Sequence, residues 1–405
     1  MAWAVRSTTD LEEFVDALGA ISHYFGSERD LERAERFGKV LPLERMHGAF
    51  DGDRIVGGAG AFPFQLTVPG GPIACGGVTV VGVLPTHRRR GVLTAMMRAQ
   101  LEDIRDRGEP IAALWASEEV IYRRFGYGVA SFAGEIELAS GYSGLRQAPE
   151  PGATARLITL EDAKTLVPPV YDRVRATTPG MFGRTKNWWE LRILADPPDR
   201  RQGGGVKNVL LLELDGKPAG YALYRFTAKF ESGSSAGHLA VIEALADGPT
   251  ATRELWRVLL DMDWKATLTA ELLPIDHPLM HQLLYPRRMR MRIGDGLWVR
   301  LVDVGAALSA RAYGGDGTVV LDVEDSFLPE NAGRWQIAGG AAARTEDDAD
   351  LALDVGELGS AYLGGFTFAE LVRAGVVREL KAGGAARADA VFLTAAAKPW
   401  CPEIF

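Results

Sequence analysis

Three consecutive arginines, Arg88-Arg89-Arg90, followed by Gly91, stand between an apolar run, Val78 to Leu84, and a segment whose apolar residues recur at helical spacing (Val92, Leu93, Met96, Met97, Leu101 and Ile104). A strand that enters a helix through such a loop leaves the first-turn backbone N–H groups without partners and sets side-chain cations beside them. That combination cradles an anion, and a phosphate suits it. Taken alone, an arginine-rich turn is more often a solvated surface loop. The sequel raises the anion reading: a strand at Ile111 to Ala116, then Ser117-Glu118, then a short helix to Phe125 that bears Tyr122 and is closed by Gly126-Tyr127-Gly128. At the far end, Trp400-Cys401-Pro402-Glu403-Ile404-Phe405 puts an apolar residue last, which predicts a docked terminus, although most termini are loose.

Around this loop the periodicity predicts short helices at Thr9 to Leu18 and Glu28 to Phe37, then a hairpin of Met46 to Phe50 and Ile55 to Phe62 turned at Asp51-Gly52-Asp53. Val78 to Leu84 is apolar enough to predict a strand buried on both faces. The middle third repeats the order. Val209 to Leu214, a turn at Asp215-Gly216-Lys217 and Ala219 to Phe226 parallel the first hairpin. A strand at Gly237 to Leu245, a helix at Thr250 to Met262, a strand at Thr267 to Leu272 and a short helix at His277 to Leu284 follow. This is an internal duplication. Where the first copy has Arg88-Arg89-Arg90-Gly91, the second has Asp247-Gly248-Pro249-Thr250, so the anion site is expected in the first copy alone. From Leu297 the composition shifts to strand-like runs (Thr318 to Val323, Trp335 to Ile337), a Gly/Ala-rich connection (Gly339 to Ala343), an acidic stretch (Glu346 to Asp350) and helices at Phe368 to Ala374 and Ala388 to Phe392.

The chain has 405 residues, 47% hydrophobic and 24% charged, which fits two or three globular domains and excludes a disordered tail, a collagen-like fibre and a disulfide miniprotein. A net charge of −8 argues against nonspecific nucleic-acid binding and favours cationic small molecules. The only cysteines, Cys75 and Cys401, make no disulfide framework and point to a reducing cytosol. Met1 to Asp10 has no apolar segment behind it, and no run of apolar residues is long enough to span a bilayer, so neither a signal peptide nor a membrane helix is expected.

Val81-Gly82-Val83-Leu84-Pro85-Thr86-His87-Arg88-Arg89-Arg90-Gly91-Val92-Leu93 resembles the acetyl-CoA motif of the GNAT superfamily. Four features together resemble the Eis (enhanced intracellular survival) aminoglycoside acetyltransferases. They are Ala116-Ser117-Glu118, the run Ile121 to Gly128, the second GNAT-like copy and the terminal Asp325-Ser326-Phe327-Leu328-Pro329-Glu330-Asn331. The resemblance spans essentially the whole chain. It implies an α+β fold of tandem GNAT-like domains, 1–145 and a degenerate 146–296, followed by a sterol-carrier-like domain, 297–405. It implies acetyl-CoA as co-substrate and no metal. The backbone of Val81, Gly82 and Val83 would pair with the pantetheine arm and polarise the thioester. The pyrophosphate would lie on Arg89, Arg90, Gly91, Val92, Leu93 and Thr94, with Ser117 and Glu118 near the pantetheine. Tyr122 matches the family's general acid, with Tyr127 as its rival. The base would be the C-terminal carboxylate of Phe405, with Glu403 as alternative or as a contact to a substrate ammonium. The implied activity is N-acetylation of aminoglycoside-like polycations or polyamines, and of protein lysines, by a cytoplasmic homohexamer with neither nucleic acid nor membrane as partner. A lipid or sterol carrier and a nonenzymatic CoA-binding scaffold are the rival functions.

Other residues read more plainly. His277 and His281 have the spacing of two metal ligands on a helix, yet nothing supplies the third that a catalytic zinc needs. His87 could touch a phosphate but is expected to be solvated; the alternation Arg287 to Arg292 could suit RNA but reads as a half-exposed strand; Trp188-Trp189 could line a ligand site but is expected to pack in a core; Asp30, Glu32 and Glu35 are expected to solvate a helix.

Overall fold

The computed structural model describes residues 3–201, 203–394 and 397–405; Met1 and Ala2, part of the stretch read for a leader, lie outside them. The fold is α+β, and its contacts divide the chain into two units. The first comprises residues up to Ser131, most of the chain from Leu297 onwards, and Ile404–Phe405; the second comprises Phe132–Gly296 and the tail segment to Glu403.

In the first unit, β1 (Ala4–Ser7), β2 (Met46–Asp51), β3 (Arg54–Val68), β4 (Gly71–Val83), β5 (Ile111–Trp115) and β6 (Gly128–Val129) form a seven-stranded sheet. The strand Leu297–Leu301 lies between β5 and β6. Helices α1 (Leu11–Ser22), α2 (Leu31–Gly38), α3 (Val92–Asp106) and α4 (Glu119–Tyr122) flank it. Asp10 and Asp30 accept N–H bonds from Glu13 and Arg33, so each starts its helix as an N-cap. Asp30 thereby has the structural role expected of it. The apolar stripe of α3 buries Met97, Leu101 and Ile104 with Val78, Ala112, Leu114, Tyr122 and Tyr127.

The same unit holds a five-stranded sheet in the order 341–344, 333–338, 319–324, 351–354, 377–379. Its helix Val355–Tyr362 runs so close to β6 that a Cβ on Gly128 would stand 1.8 Å from the Gly356 carbonyl oxygen. Asp325, in the motif quoted above, is a bracket. It takes Arg300 Nη2 at 2.6 Å, Asn331 Nδ2 and the Phe327 and Leu328 N–H groups, all buried.

The second unit repeats the plan: 292–295, β7 (Phe132–Ala139), then 265–273, 237–246, 217–227, 207–214 and 153–158. The duplication is therefore real at the level of strand order. Each copy completes its sheet with a strand from elsewhere. Leu297–Leu301, which follows the second copy, enters the first sheet, and β7, which follows the first copy, enters the second.

Three expectations need correction. Arg287 is in a 3-10 turn, Pro286–Met289, because Pro286 fixes φ and Arg290 is left-handed (φ 48°); the strand begins only at Arg292. The Gly/Ala-rich connection is partly a strand, Ala341–Arg344. β4 is longer than the apolar run, and its second half is open on one side, which leaves Val80, Val81 and Val83 only half-buried.

Candidate active site

β4 pairs in parallel with β5 only over Cys75–Gly77 against Ile111–Ala113. Beyond Gly77 the two strands part, and β4 continues to Val83 with no strand on that side among the described residues. On its other side β4 stays with β3, but the register slips between Gly58↔Gly82 and Gly60↔Thr79, which makes a bulge at Val80–Val81. Val80 has φ 48°, a conformation a β-branched residue adopts only under constraint. The bulge turns the backbone of Val81, Gly82 and Val83 at the mouth of the splayed strands. The Val83 carbonyl accepts the Tyr24 hydroxyl at 2.7 Å.

The loop after β4 joins it to the 15-residue α3. Arg89 (φ 59°) and Gly91 (φ 84°) are both left-handed, a curl that gathers successive N–H groups toward one point, and Gly91 serves as N-cap without a side chain to block them. The first helical bond is Ala95 N–H to the Gly91 carbonyl, so Val92, Leu93 and Thr94 keep free donors. Arg88, Arg89 and Arg90 are exposed, and among the described residues none is paired with a carboxylate. Trp3 braces the loop. Its Nε1 donates to the Arg90 carbonyl at 2.8 Å, and the Arg90 guanidinium lies 5.2 Å from its ring centroid. His87, expected to be solvated, is buried instead, its Nε2 3.0 Å from Asp51 Oδ2 and its ring edge-on to Trp3.

At the end of β5, Ser117 and Glu118 are exposed, and Glu118 stands at the N-cap position of α4 with no side-chain cap bond. Tyr122 is buried at the end of α4, where burial, helped by the Glu118 charge, pushes its phenol up to about 12. Tyr127 stands edge-to-face with it, centroids 6.0 Å apart. Its hydroxyl is buried with no hydrogen-bond partner among the described residues, and burial raises its pKa far further. Phe405 is buried in the same unit, its ring 4.9 Å from Phe64 and 6.5 Å from Phe62, both on β3. The terminus is docked, as the sequence predicts.

Glu403 is not free to act as a base. Its carboxylate accepts Trp188 Nε1 at 2.9 and 3.0 Å and pairs with Arg184 Nη2 at 3.1 Å; burial raises its pKa. Arg184 also takes Glu243 on both nitrogens, at 2.9 and 2.5 Å, and lies over the rings of Tyr171 and Trp189. Trp188 and Trp189 are thus core residues, one with a polar task. His277 is fully buried, with Nδ1 accepting the Leu279 N–H and its ring against Trp256, which is a structural role. Trp3, Tyr24, Asp51, Arg184 and Glu243 escape sequence reasoning, because nothing in their local pattern marks them.

A cleft of about 730 Å³ in the first unit is lined by Asp16, His23, Arg29, Asp51, Asp53 and Leu84. Asp16 is shared with Arg29 and Asp51 with His87, while Asp53 has no ion pair among the described residues.

Splayed strands beside a bulge recur in both copies, and in the first they lead into a helix start with free N–H groups, the arrangement of a GNAT-type acetyltransferase. Residues 4–130 and 180–301 each match an acetyltransferase (GNAT) domain, and residues 304–402 a sterol carrier protein domain. An N-acetyltransferase of Streptomyces avermitilis is 42% identical over 92% of both chains. N-acetyltransferase Eis of Mycobacterium tuberculosis is 34% identical over 85% of both. The structure of Eis1 from Mycobacterium abscessus, 34% identical, superposes with a TM-score of 0.85 over 99% of this chain and 100% of that one. The chain belongs to the Eis family of GNAT N-acetyltransferases, and its GNAT domains imply acetyl-CoA as co-substrate.

Proposed function

We propose that the enzyme acetylates amines of aminoglycoside-like polycations by direct transfer from acetyl-CoA, with Tyr122 as general acid and the Phe405 C-terminal carboxylate as general base. The observation that carries this reading is the open edge of β4 after Gly77, which leads into a helix start flanked by three unpaired guanidiniums. The N–H groups of Val92, Leu93 and Thr94, the Gly91 curl and the Arg89 and Arg90 side chains take the pyrophosphate. The backbone of Val81, Gly82 and Val83 holds the pantetheine arm beside Ser117 and Glu118 and polarises the thioester carbonyl.

Tyr122, a phenol and so protonated at neutral pH, is the donor to the departing thiolate, whose parent thiol has a pKa of about 8.5; burial makes the phenol the weaker acid, so the proton it lends is replaced once the thiol has formed. The attacking amine must lose a proton. A carboxylate with an ordinary pKa of roughly 3.5 accepts it poorly in water, so the role asks that the carboxylate be held against the amine, and the packing of the Phe405 ring on Phe64 ties down the chain end that carries it. A cationic acceptor suits the 730 Å³ cleft, where Asp53 has no ion pair among the described residues. The division into domains 1–145, 146–296 and 297–405, a homohexameric assembly and a reducing cytoplasmic setting complete the proposal. Among the described residues no helix is long and apolar enough to cross a membrane.

The test is thiol release from acetyl-CoA with kanamycin, neomycin and a lysine peptide, comparing the full chain with one that ends at Ile404. Release with the aminoglycosides that collapses on truncation, in a chain still folded, is the expected result. Release that survives truncation moves the base elsewhere, and release with the peptide alone overturns the substrate class.

A further inference from the structure

In the second copy, strand 237–246 pairs in parallel with strand 265–273 only as far as Val241↔Ala270. Beyond that point the strands separate, as β4 and β5 do beyond Gly77. A bulge marks the same place: Leu223 faces Glu243 and Tyr224 faces Val241, with Ile242 left over. The slot is filled. Trp400 Nε1 donates to the Leu272 carbonyl at 2.6 Å and its N–H to the Pro179 carbonyl at 2.8 Å. Trp400 and Pro402 line what remains between Val241–Ala244 and Ala270–Leu273, a cavity of about 10 Å³, room for a single water at most. Glu403 then closes on Arg184, whose side chain is fully buried and whose other carboxylate partner, Glu243, stands one residue past the bulge.

From this we infer that the second copy's cofactor slot has become a socket for the chain's own tail, and that Arg184, Trp188 and the Trp400–Glu403 segment are positioning elements for the terminal carboxylate. Glu403 belongs to the second unit and Phe405, two residues on, to the first. Two residues of extended chain reach about 7 Å, so an anchored Glu403 confines Phe405 to a small volume. A freely swinging terminus is a weak base. A held one is pre-organised, and displacement of a reacting group by about 1 Å is enough to slow a reaction roughly 100-fold.

The inference rests on the reading of Phe405 as base, and two measurements keep them separable. The first is release of Phe405 from the full chain by a carboxypeptidase. The parent resists; Glu403→Ala, which leaves the Arg184–Glu243 pair intact, loses Phe405 about tenfold faster or more, as does Trp400→Phe, which removes the donor to Leu272 and part of the ring that fills the slot. Equal release from parent and variants overturns the socket. The second is kcat/KM for kanamycin across pH. In Glu403→Ala it falls about tenfold or more near pH 7 and recovers as alkali deprotonates the amine, while KM for acetyl-CoA stays put. Glu403→Ala added to the chain ending at Ile404 has no further effect, and a multiplicative loss there overturns the positioning role. Faster Phe405 release with undiminished activity in the truncated chain leaves the socket standing and removes Phe405 as base. Should Trp400→Phe fold poorly, Glu403→Gln, which keeps an acceptor for Trp188, carries both readouts.

Discussion

Both copies splay the same two strands beside a bulge, yet one is left open and the other is closed. In the first copy the slot leads into Arg88-Arg89-Arg90-Gly91, with unpaired cations and free N–H groups. In the second it leads into Asp247-Gly248-Pro249, where the Asp247 carboxylate already accepts Arg173 Nε at 2.7 Å and Pro249 has no N–H to give. An anion meets four attractions in one copy, if helix dipole and side chains are counted together, and a fixed carboxylate in the other. The fold supplies a slot, and the loop decides what may enter it.

The comparison is broken most severely at Tyr122. Under the proposed mechanism Tyr122→Phe removes the general acid and should lower kcat about 10²- to 10⁴-fold with acetyl-CoA binding unchanged, measured by steady-state kinetics and calorimetry. Tyr127→Phe is the control. Its hydroxyl is buried without a partner, so its removal should leave kcat in place and raise stability by about 1 kcal/mol. A loss of turnover in Tyr127→Phe instead of Tyr122→Phe would exchange their roles.

Next comes the strand each sheet borrows. Arg300 on Leu297–Leu301 has no exposed side-chain surface and Asp325 almost none, so Asp325→Ala strands a buried cation and should cost about 3–5 kcal/mol in urea unfolding. On the strand that the second sheet borrows, β7, Glu135 pairs with Arg292 of the neighbouring strand, but both are largely exposed, and Glu135→Ala should cost no more than about 1 kcal/mol. Similar costs for the two would mean that the borrowed strands are held alike.

The loops themselves differ by less. Arg89→Ala with Arg90→Ala should weaken acetyl-CoA binding about 30-fold or more, with a shallower dependence on salt, since exposed cations on a phosphate are screened. Arg173→Ala with Asp247→Ala, the corresponding change in the second copy, should leave that affinity alone. An effect of the second pair equal to that of the first would mean that both slots take the cofactor.

Much of this contrast is legible in the sequence. The strand–loop–helix order and the absence of the basic loop from the second copy follow from periodicity and residue type, which are local. What fills the second slot is not local: Glu403 meets Trp188 across 215 positions, and neither residue's neighbours announce the other. The borrowed strands escape for a similar reason. The apolar alternation of Leu297–Leu301 predicts a strand but names no partner, since any half-buried strand presents the same pattern. His87 was misplaced because a histidine among arginines has a solvated look, and only Asp51, 36 positions earlier, gives it a reason to be buried.

The smallest effect tests the turn that follows the diverging strand. In the first copy that turn exposes Ser117 and Glu118; in the second it buries His277, whose Nδ1 caps the Leu279 N–H and whose pKa burial lowers from 6.5 to about 3. A histidine kept neutral by the fold takes up its proton more readily when unfolded. Its contribution is therefore complete above pH 6.5 and is lost, at about 1.4 kcal/mol per pH unit, as the pH falls toward 3. Urea midpoints between pH 7 and 5 should fall in the parent, and the slope should flatten in His277→Asn, whose side-chain oxygen can take over the Leu279 N–H without titrating. Identical slopes would show that acid sensitivity arises elsewhere and that this turn, unlike its exposed counterpart, is closed by packing alone.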